Sequence, residues 1–223
     1  MSSDAGERGW IERLRAFDVC TISDELDRLK LQGVVSGLAQ RSGDERVAGK
    51  VVTVRLGTGE PPPGPPRHLC AAAIEAADEG TVIVIEQRTG IEAGCWGGLL
   101  TLAARAKQVA GVVAEGLLRD VDEARAIGFP VFSRGLTART ARGRIVEKAT
   151  GVPVTIGDVP VENGDFVVAD GSGVAFICRA DIEAVLAAAD AIAAREAAMA
   201  RALKSGARVS EVLGGHYEHM LKS

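Results

Sequence analysis

The amino-acid sequence predicts a single α/β domain with a largely buried parallel sheet. Apolar, strand-like runs alternate with helical segments in the middle of the chain, as in TVIVIE (81–86), GVVAE (111–115) and FPVFS (129–133). With 223 residues, 47% of them hydrophobic, the chain has enough material for one sizeable core. No linker or internal repeat divides it, so we expect one domain over 1–223.

Helical patterns precede the first strand. An apolar spacing at Ile11, Leu14 and Phe17 marks a small helix. The segment TISDELDRLK predicts a second helix, which Thr21 or Ser23 is expected to cap.

A strand and a loop come next. The run VAGKVVTVRL (47–56) is rich in β-branched residues and predicts a strand. The segment 57–67 contains five prolines, which exclude the immediate helix that a phosphate-binding loop requires. It is therefore predicted to be a stiff surface loop.

Helices are expected between the central strands, over 68–77, over 95–106 and from Val121. The region 152–178 differs, because its strand-like runs are separated by the turn sequences ENGD and DGSG, and it predicts antiparallel additions to the sheet. A long helix, roughly 181–204, and a shorter helical tail follow. The core is thus expected over about 21–180, with a helical carboxy-terminal arm over about 181–223.

Composition and charge exclude several classes of function. The formal net charge is −4, and Lys and Arg form no basic stripe, so nucleic acid is not expected as a direct partner. The amino terminus has no apolar run, and no stretch approaches the ~20 apolar residues of a membrane span, so a cytoplasmic protein is expected. The four cysteines form no close pair and are expected to be reduced and mostly packed.

The segment GVVAEGLLRDVDEARAIGFPVF (111–132) carries the main candidates for chemistry. A buried strand is expected to end at Gly116, which places Arg119 and Asp120 at the edge of the sheet where ligands bind in open α/β folds. A guanidinium fork holds a carboxylate, and an Asp carboxylate suits a hard divalent cation. The alternative is structural: Asp120 and Glu123 fit a capping box, and Arg119 would be a solvated turn residue.

The segment 95–106 is expected to be a helix with an apolar stripe. The stripe consists of Leu99, Leu102, Ala103 and Ala106. It places Gly97 and Gly98 in the first turn, where unpaired amides can receive an anion. The alternative is that the two glycines only allow the helix to pack tightly on the sheet.

Glu196 interrupts the apolar period of the last long helix. Steps of four and three from Ile192 reach Glu196 before Met199, so a carboxylate is expected in the buried phase of the helix, where an unpaired charge is costly. It therefore needs a partner, which is a structural Arg or Lys, a neighbouring subunit or a metal-bound water.

These motifs resemble one family. The spacing WGGLL…AARAKQVAGVVAEGLLRDVDEARAIGFPVFSRG, followed by VENGDFVVADGSGVAFI, resembles the RraA-like family over about 21–203. That family includes the metal-dependent 4-hydroxy-4-methyl-2-oxoglutarate (4-carboxy-4-hydroxy-2-oxoadipate) aldolases and ribonuclease-regulator proteins. The resemblance implies a swivelling-type α–β–β–α sandwich, assembled as a trimer or a dimer of trimers.

The resemblance also implies roles for residues. Asp120 would bind the divalent metal, Mg²⁺ or Mn²⁺, and Arg119 would contact the 2-oxo acid and its developing enolate. Glu196 matches a carboxy-terminal glutamate that reaches the metal's water shell from an adjacent subunit. The amides that would hold the substrate carboxylate belong to Gly97, Gly98, Leu99 and Leu100.

The sequence departs from the family pattern at Gly98, where the aldolases usually have an acidic residue, so the proton-transfer group is unassigned. It keeps Asp120, which the ribonuclease-regulator branch often lacks. The expected function is therefore metal-dependent cleavage of a carbon–carbon bond beside a 2-oxo acid, by retro-aldol cleavage, oxaloacetate decarboxylation or both, through pyruvate enolate. The alternatives are a regulatory binding protein and an unrelated α/β protein.

Overall fold

The fold is a mixed α/β structure, described by a computed structural model over residues 2–213. Within this range the helices are α1 (Ser2–Leu14), α2 (Val19–Arg28), α3 (Ala71–Ala76), α4 (Gly98–Ala106), α5 (Val121–Ile127), α6 (Ile182–Lys204) and α7 (Val209–Val212). The strands are β1 (Val34–Val35), β2 (Ala39–Ser42), β3 (Val47–Gly57), β4 (Thr81–Glu86), β5 (Gly94–Trp96), β6 (Gly111–Leu118), β7 (Val131–Leu136), β8 (Val146–Thr150), β9 (Val154–Ile156), β10 (Val159–Val161), β11 (Phe166–Asp170) and β12 (Gly173–Ile177).

The large sheet is parallel at its centre and antiparallel at its sides. Its main order is β1-β12-β11-β3-β4-β6-β7-β2, with β5 added to β6 and β8 added to β3. The strands β3, β4, β6 and β7 pair in parallel, whereas β11, β12 and β2 join antiparallel. The predicted antiparallel character of 152–178 is thus confirmed, and the sheet as a whole is more mixed than the strand pattern predicted.

The layers form the α–β–β–α sandwich that the family resemblance implied. The outer helices α3 and α4 cover one face of β4 and β6, with Ile83 and Ile85 between them. On the other face, Val82 and Val84 meet side chains from β9–β12 in a second core. The other sides of β11 and β12 pack against α1, α2 and α6. Strand β11 shows the division, because Val167 faces the middle core and Phe166 faces the helices.

Several predicted boundaries shift. Helix α2 begins at Val19, and its cap is Asp18, whose carboxylate accepts a hydrogen bond from the Thr21 amide at 2.7 Å, so the predicted Thr21 or Ser23 cap is wrong. The helix predicted over 68–77 is confined to α3 because the chain before it belongs to the proline-rich loop. The short strands β1, β2, β5, β8 and β10 were not predicted.

The carboxy-terminal arm begins as predicted with the long helix α6 and continues into α7. The rest of the arm lies outside the described residues. No helix within residues 2–213 is both long enough and apolar enough to span a membrane.

Candidate active site

Arg119 and Asp120 directly follow β6 at its carboxyl end. The strand continues to Leu118, two residues beyond the predicted end at Gly116, because Gly94 and Trp96 of β5 pair with Leu117 and Leu118. The Arg119 amide then donates to the Trp96 carbonyl at 3.0 Å. Both side chains are about one-third exposed, at 34% and 33%, so the pair is anchored by the sheet and open to solvent.

The Asp120 carboxylate is not a helix cap. Asp120 has a φ of +54°, in the left-handed region that Asp adopts more readily than most residues, and its side chain makes no capping hydrogen bond to α5. The predicted capping box with Glu123 is therefore wrong. Instead, Asp120 Oδ2 accepts from Arg119 Nε at 3.1 Å and from the Gly98 amide at 3.2 Å.

Two glycines allow this close packing. A Cβ at Gly94 would lie 2.8 Å from Arg119 Cγ, and a Cβ at Gly97 would lie 2.8 Å from Asp120 Oδ2. Neither position has a positive φ, so the requirement is for space and not for backbone freedom. The β5–α4 segment and the β6–α5 turn thus form one unit.

Helix α4 starts at Gly98, three residues later than predicted, because Gly94–Trp96 forms β5. Its predicted apolar stripe is wrong: the Leu99 and Leu102 side chains are 81% and 57% exposed, while Leu100 and Thr101 are buried. The first helical hydrogen bond runs from the Thr101 amide to the Gly97 carbonyl. The amides of Leu99 and Leu100 therefore lack partners within the helix, in the same first turn as the Gly98 amide that contacts Asp120.

Glu123 also lies at this edge, and the sequence pattern did not predict it as a site residue. A Cβ at Gly98 would collide with Glu123 Oε2, so the Glu123 carboxylate occupies the space beside Gly98. Among residues 2–213, Glu123 has no ion-pair partner. The sequence pattern assigned Glu123 only to a capping box. The lack of a side chain at Gly98 is the one sequence feature that could have indicated a carboxylate in this space.

Glu196 does not join this site within the chain. It is exposed on α6, so the expectation of a buried position in this chain is wrong. Partial desolvation of its carboxyl group raises the pKa, and the nearby Asp18 and Asp24 carboxylates raise it further. Its neighbours thus belong to α2, in the layer opposite to α4 and α5.

The cysteines give no sign of thiolate chemistry. Cys70 and Cys95 are buried, and desolvation raises the pKa of Cys95 to about 12 and that of Cys70 well above its ordinary value. Both thiols are therefore neutral at physiological pH. All four cysteines are unpaired, as predicted, but Cys20 and Cys178 are exposed and not packed.

Residues 19–176 match the RraA-like family, described as Aldolase/RraA. The chain belongs to the RraA-like family. It is 29% identical over 197 residues to a proposed 4-hydroxy-4-methyl-2-oxoglutarate aldolase of Halalkalibacterium halodurans, with 88% of this chain and 90% of that protein covered. It is 28% identical over 201 residues to the protein DlpA of Legionella pneumophila; this covers 90% of the chain but only 32% of DlpA, about a third of its length.

A solved RraA-like structure has the same fold. Streptomyces coelicolor RraAS2, described as an unusual member of the RNase ES inhibitor RraA protein family, superimposes with a TM-score of 0.75 at 25% identity, covering 84% of this chain and 93% of that chain. The expected family and fold are thereby confirmed. The RraA-like family contains both relatives named as aldolases and relatives named as ribonuclease inhibitors.

Proposed function

We propose that this RraA-like protein is a divalent-metal-dependent lyase that cleaves a carbon–carbon bond beside a 2-oxo acid. The observation that supports this most is the juxtaposition of Arg119, Asp120 and the amino terminus of α4. A cation, a carboxylate and the first turn of a helix meet at the carboxyl edge of parallel strands, which is where α/β folds bind ligands.

The side chains at this edge fit a hard divalent cation. Asp120 offers carboxylate oxygens that are one-third exposed. Within residues 2–213, no group of three or more His, Cys, Asp or Glu side chains is placed to hold a metal ion. Mg²⁺ suits such a place, because it keeps several waters and needs only one or two protein carboxylates. Asp120 would hold Mg²⁺ or Mn²⁺, which when bound supplies Lewis-acid polarisation of the substrate's keto oxygen.

The protein's own groups would orient the substrate and stabilise charge. The amides of Leu99 and Leu100 lie in the first turn of α4 and would hold the substrate carboxylate. The Arg119 guanidinium would meet the negative charge that develops as cleavage leaves pyruvate enolate. Retro-aldol cleavage and oxaloacetate decarboxylation share this enolate, so one site would serve both reactions.

Glu123 is our candidate for proton transfer. Gly98 has no side chain to do this, and the Glu123 carboxylate lies in the space that such a side chain would fill. Gly98 is also the residue whose amide donates to Asp120 Oδ2, so Glu123 and Asp120 both lie against this glycine. A carboxylate held at the site edge without a cationic partner is suited to exchanging a proton with substrate or water.

The test is release of pyruvate from 4-hydroxy-4-methyl-2-oxoglutarate and from oxaloacetate, with and without Mg²⁺. We expect turnover that is lost on chelation and restored by Mg²⁺ or Mn²⁺. A substrate imine trapped by borohydride would contradict the proposal, since it indicates Schiff-base chemistry. Turnover that survives exhaustive chelation would also contradict it.

A regulatory binding protein is the second candidate, favoured by the likeness to RraAS2. The exposed Leu99 and Leu102 side chains would then contact a partner protein. This function needs no metal and predicts that Arg119→Gln leaves partner binding unchanged. Absence of pyruvate release from any 2-oxo acid, together with metal-independent inhibition of a ribonuclease, would favour it.

A further inference from the structure

A cleft of about 610 Å³ lies between the proline-rich loop 61–69 and the segment 140–148. None of the residues that line it belongs to β5, to α4 or to the Arg119–Asp120 pair. Small-molecule sites typically enclose ~300–1,000 Å³, so the cleft has room for an organic ligand. The chain thus contains a second concave surface, which the proposed function does not use.

The walls of the cleft are largely apolar and fixed in shape. Five of the six residues in 61–66 are prolines, whose rings fix φ and reduce the entropy that this loop would lose on binding a ligand. Leu69, Ala141 and Ile145 line the inner side, since Ile145 is a core residue and the other two pack against the core. An apolar body would therefore be buried here without rearrangement of the core.

The charged part of the lining is mostly positive. Arg67, Arg142 and Lys148 contribute three positive charges. Within residues 2–213, none of these three side chains forms an ion pair. The Lys148 ammonium donates to the Glu60 carbonyl at 2.8 Å, which holds the side chain in place and leaves its charge unneutralised.

Glu147 is the carboxylate of this lining, and the protein already uses both of its oxygens. Oε2 accepts from the Cys70 amide at 2.6 Å, and Oε1 accepts from the Thr150 hydroxyl at 2.7 Å. Because these hydrogen bonds direct the carboxylate towards the chain, it does not neutralise the arginines. The cleft therefore carries a net positive charge that the anionic group of a ligand can neutralise.

We propose that this cleft is a second ligand site, which binds a carboxylate carried on an apolar body. Arg67 and Arg142 would contact the carboxylate, because a guanidinium presents paired N–H donors that match its two oxygens. The apolar body would lie on the side of Leu69 and Ile145, where its burial adds to the affinity. An aryl ring and an alkyl chain share this chemistry, and the experiment distinguishes them. The inference uses no residue of the candidate active site and is independent of the proposed lyase.

The experiment compares carboxylates with their uncharged amides. Hydrocinnamate and hydrocinnamamide form the aryl pair, and hexanoate and hexanamide form the alkyl pair. The full chain, with isotope-labelled Leu and Ile methyl groups, is titrated by NMR, and the shifts of Leu69 and Ile145 give each Kd. We expect at least one acid to bind about tenfold more tightly than its amide, as one charge-assisted contact provides. The pair that shows this preference identifies the apolar body.

Two double variants test the role of charge. Arg67→Gln/Arg142→Gln should bind acid and amide equally and keep its Tm, since both side chains are exposed. Arg105→Gln/Lys107→Gln removes the same number of positive charges from exposed positions near the end of α4 and should keep the preference for the acid. Equal binding of acid and amide by the wild type, or a preference that survives in Arg67→Gln/Arg142→Gln, overturns the inference.

The location of the ligand is checked in the same titrations. Methyl shifts at Leu69 and Ile145, with an affinity that Arg119→Gln leaves unchanged, support a separate site. Shifts confined to Leu99 and Leu100, or binding that is lost in Arg119→Gln, would place the ligand at the candidate active site and overturn the inference. A protein that never releases pyruvate but prefers the acid through the cleft arginines would reject the lyase and support this second site.

Discussion

At the scale of single residues, Asp120 can be tested without disturbing the fold. Asn adopts the left-handed region as readily as Asp, and its carbonyl oxygen can still accept from the Gly98 amide. Asp120→Asn should therefore change the free energy of unfolding by less than ~1 kcal/mol, while turnover falls by at least ~100-fold because the metal-binding charge is gone. Thermal unfolding and pyruvate release measure the two effects. Asp122→Asn, at a side chain that is 94% exposed, is the control and should keep full activity.

Glu123 can be displaced without being mutated. Gly98→Ala places a methyl group where Glu123 Oε2 lies, and the flexible Glu side chain moves away more easily than backbone would. Alanine also favours the helix, so stability should hold or rise slightly. If Glu123 transfers the proton, Gly98→Ala and Glu123→Gln should both lower kcat about tenfold or more. Full activity in both variants would leave Glu123 without a chemical role.

The candidate site could be predicted in position but not in detail. Arg119 and Asp120 follow an apolar strand, and the sheet edge follows from that pattern. The sequence could not decide between a capping box and a metal ligand, because both use an Asp at this position. The left-handed φ of Asp120, which the structure shows, was not predicted. The contact between Glu123 and Gly98 joins residues on separate helices, and no local pattern reports it.

At the scale of elements, the central parallel strands were predicted better than helix faces. Thr81–Glu86 is an unbroken apolar run buried on both sides, and β4 has these bounds. Helix α4 was assigned the wrong face, because leucines were expected to point inward. The buried face of α4 instead uses Leu100, Thr101 and Ala104. Burial of Thr101 is tolerated because its hydroxyl accepts a hydrogen bond from Trp96 Nε1 at 2.9 Å.

The cap of α2 predicts a pH effect. Burial raises the pKa of Asp18, but hydrogen bonds from the Thr21 amide and hydroxyl outweigh this and hold the pKa below its usual range. A lowered pKa stabilises the fold above the ordinary Asp value of ~3.9, and this stabilisation is lost as pH falls through the folded-state pKa. Asp18→Asn keeps a cap without the charge, so its loss of unfolding free energy, about 1 kcal/mol or less at pH 7, should shrink toward pH 3. A deficit constant from pH 7 to 3 would contradict this assignment.

At the scale of the whole molecule, the layers decide what Glu196 can do. It lies on α6 near α2, and α4 with α5 forms the opposite outer layer, so Glu196 cannot complete the site of its own chain. The exposed Leu99 and Leu102 beside the site are apolar surface suited to a contact between subunits. We propose that the protein is a homo-oligomer, a trimer or a dimer of trimers, in which Glu196 reaches the Arg119–Asp120 pair of a neighbour.

Mixing two inactive variants tests this arrangement. Glu196→Gln and Asp120→Asn should each assemble normally, since shape is kept and only charge is lost. After reversible dissociation and remixing, some sites would pair an intact Asp120 with an intact Glu196 from the next subunit, and pyruvate release should partly return. Glu183→Gln, on an exposed position of the same helix, should be active alone and serves as the matched control. A remixed sample that stays inactive despite verified subunit exchange, or a protein that sediments as a monomer, would remove Glu196 from the site, because its layer leaves it no route to Asp120 within one chain.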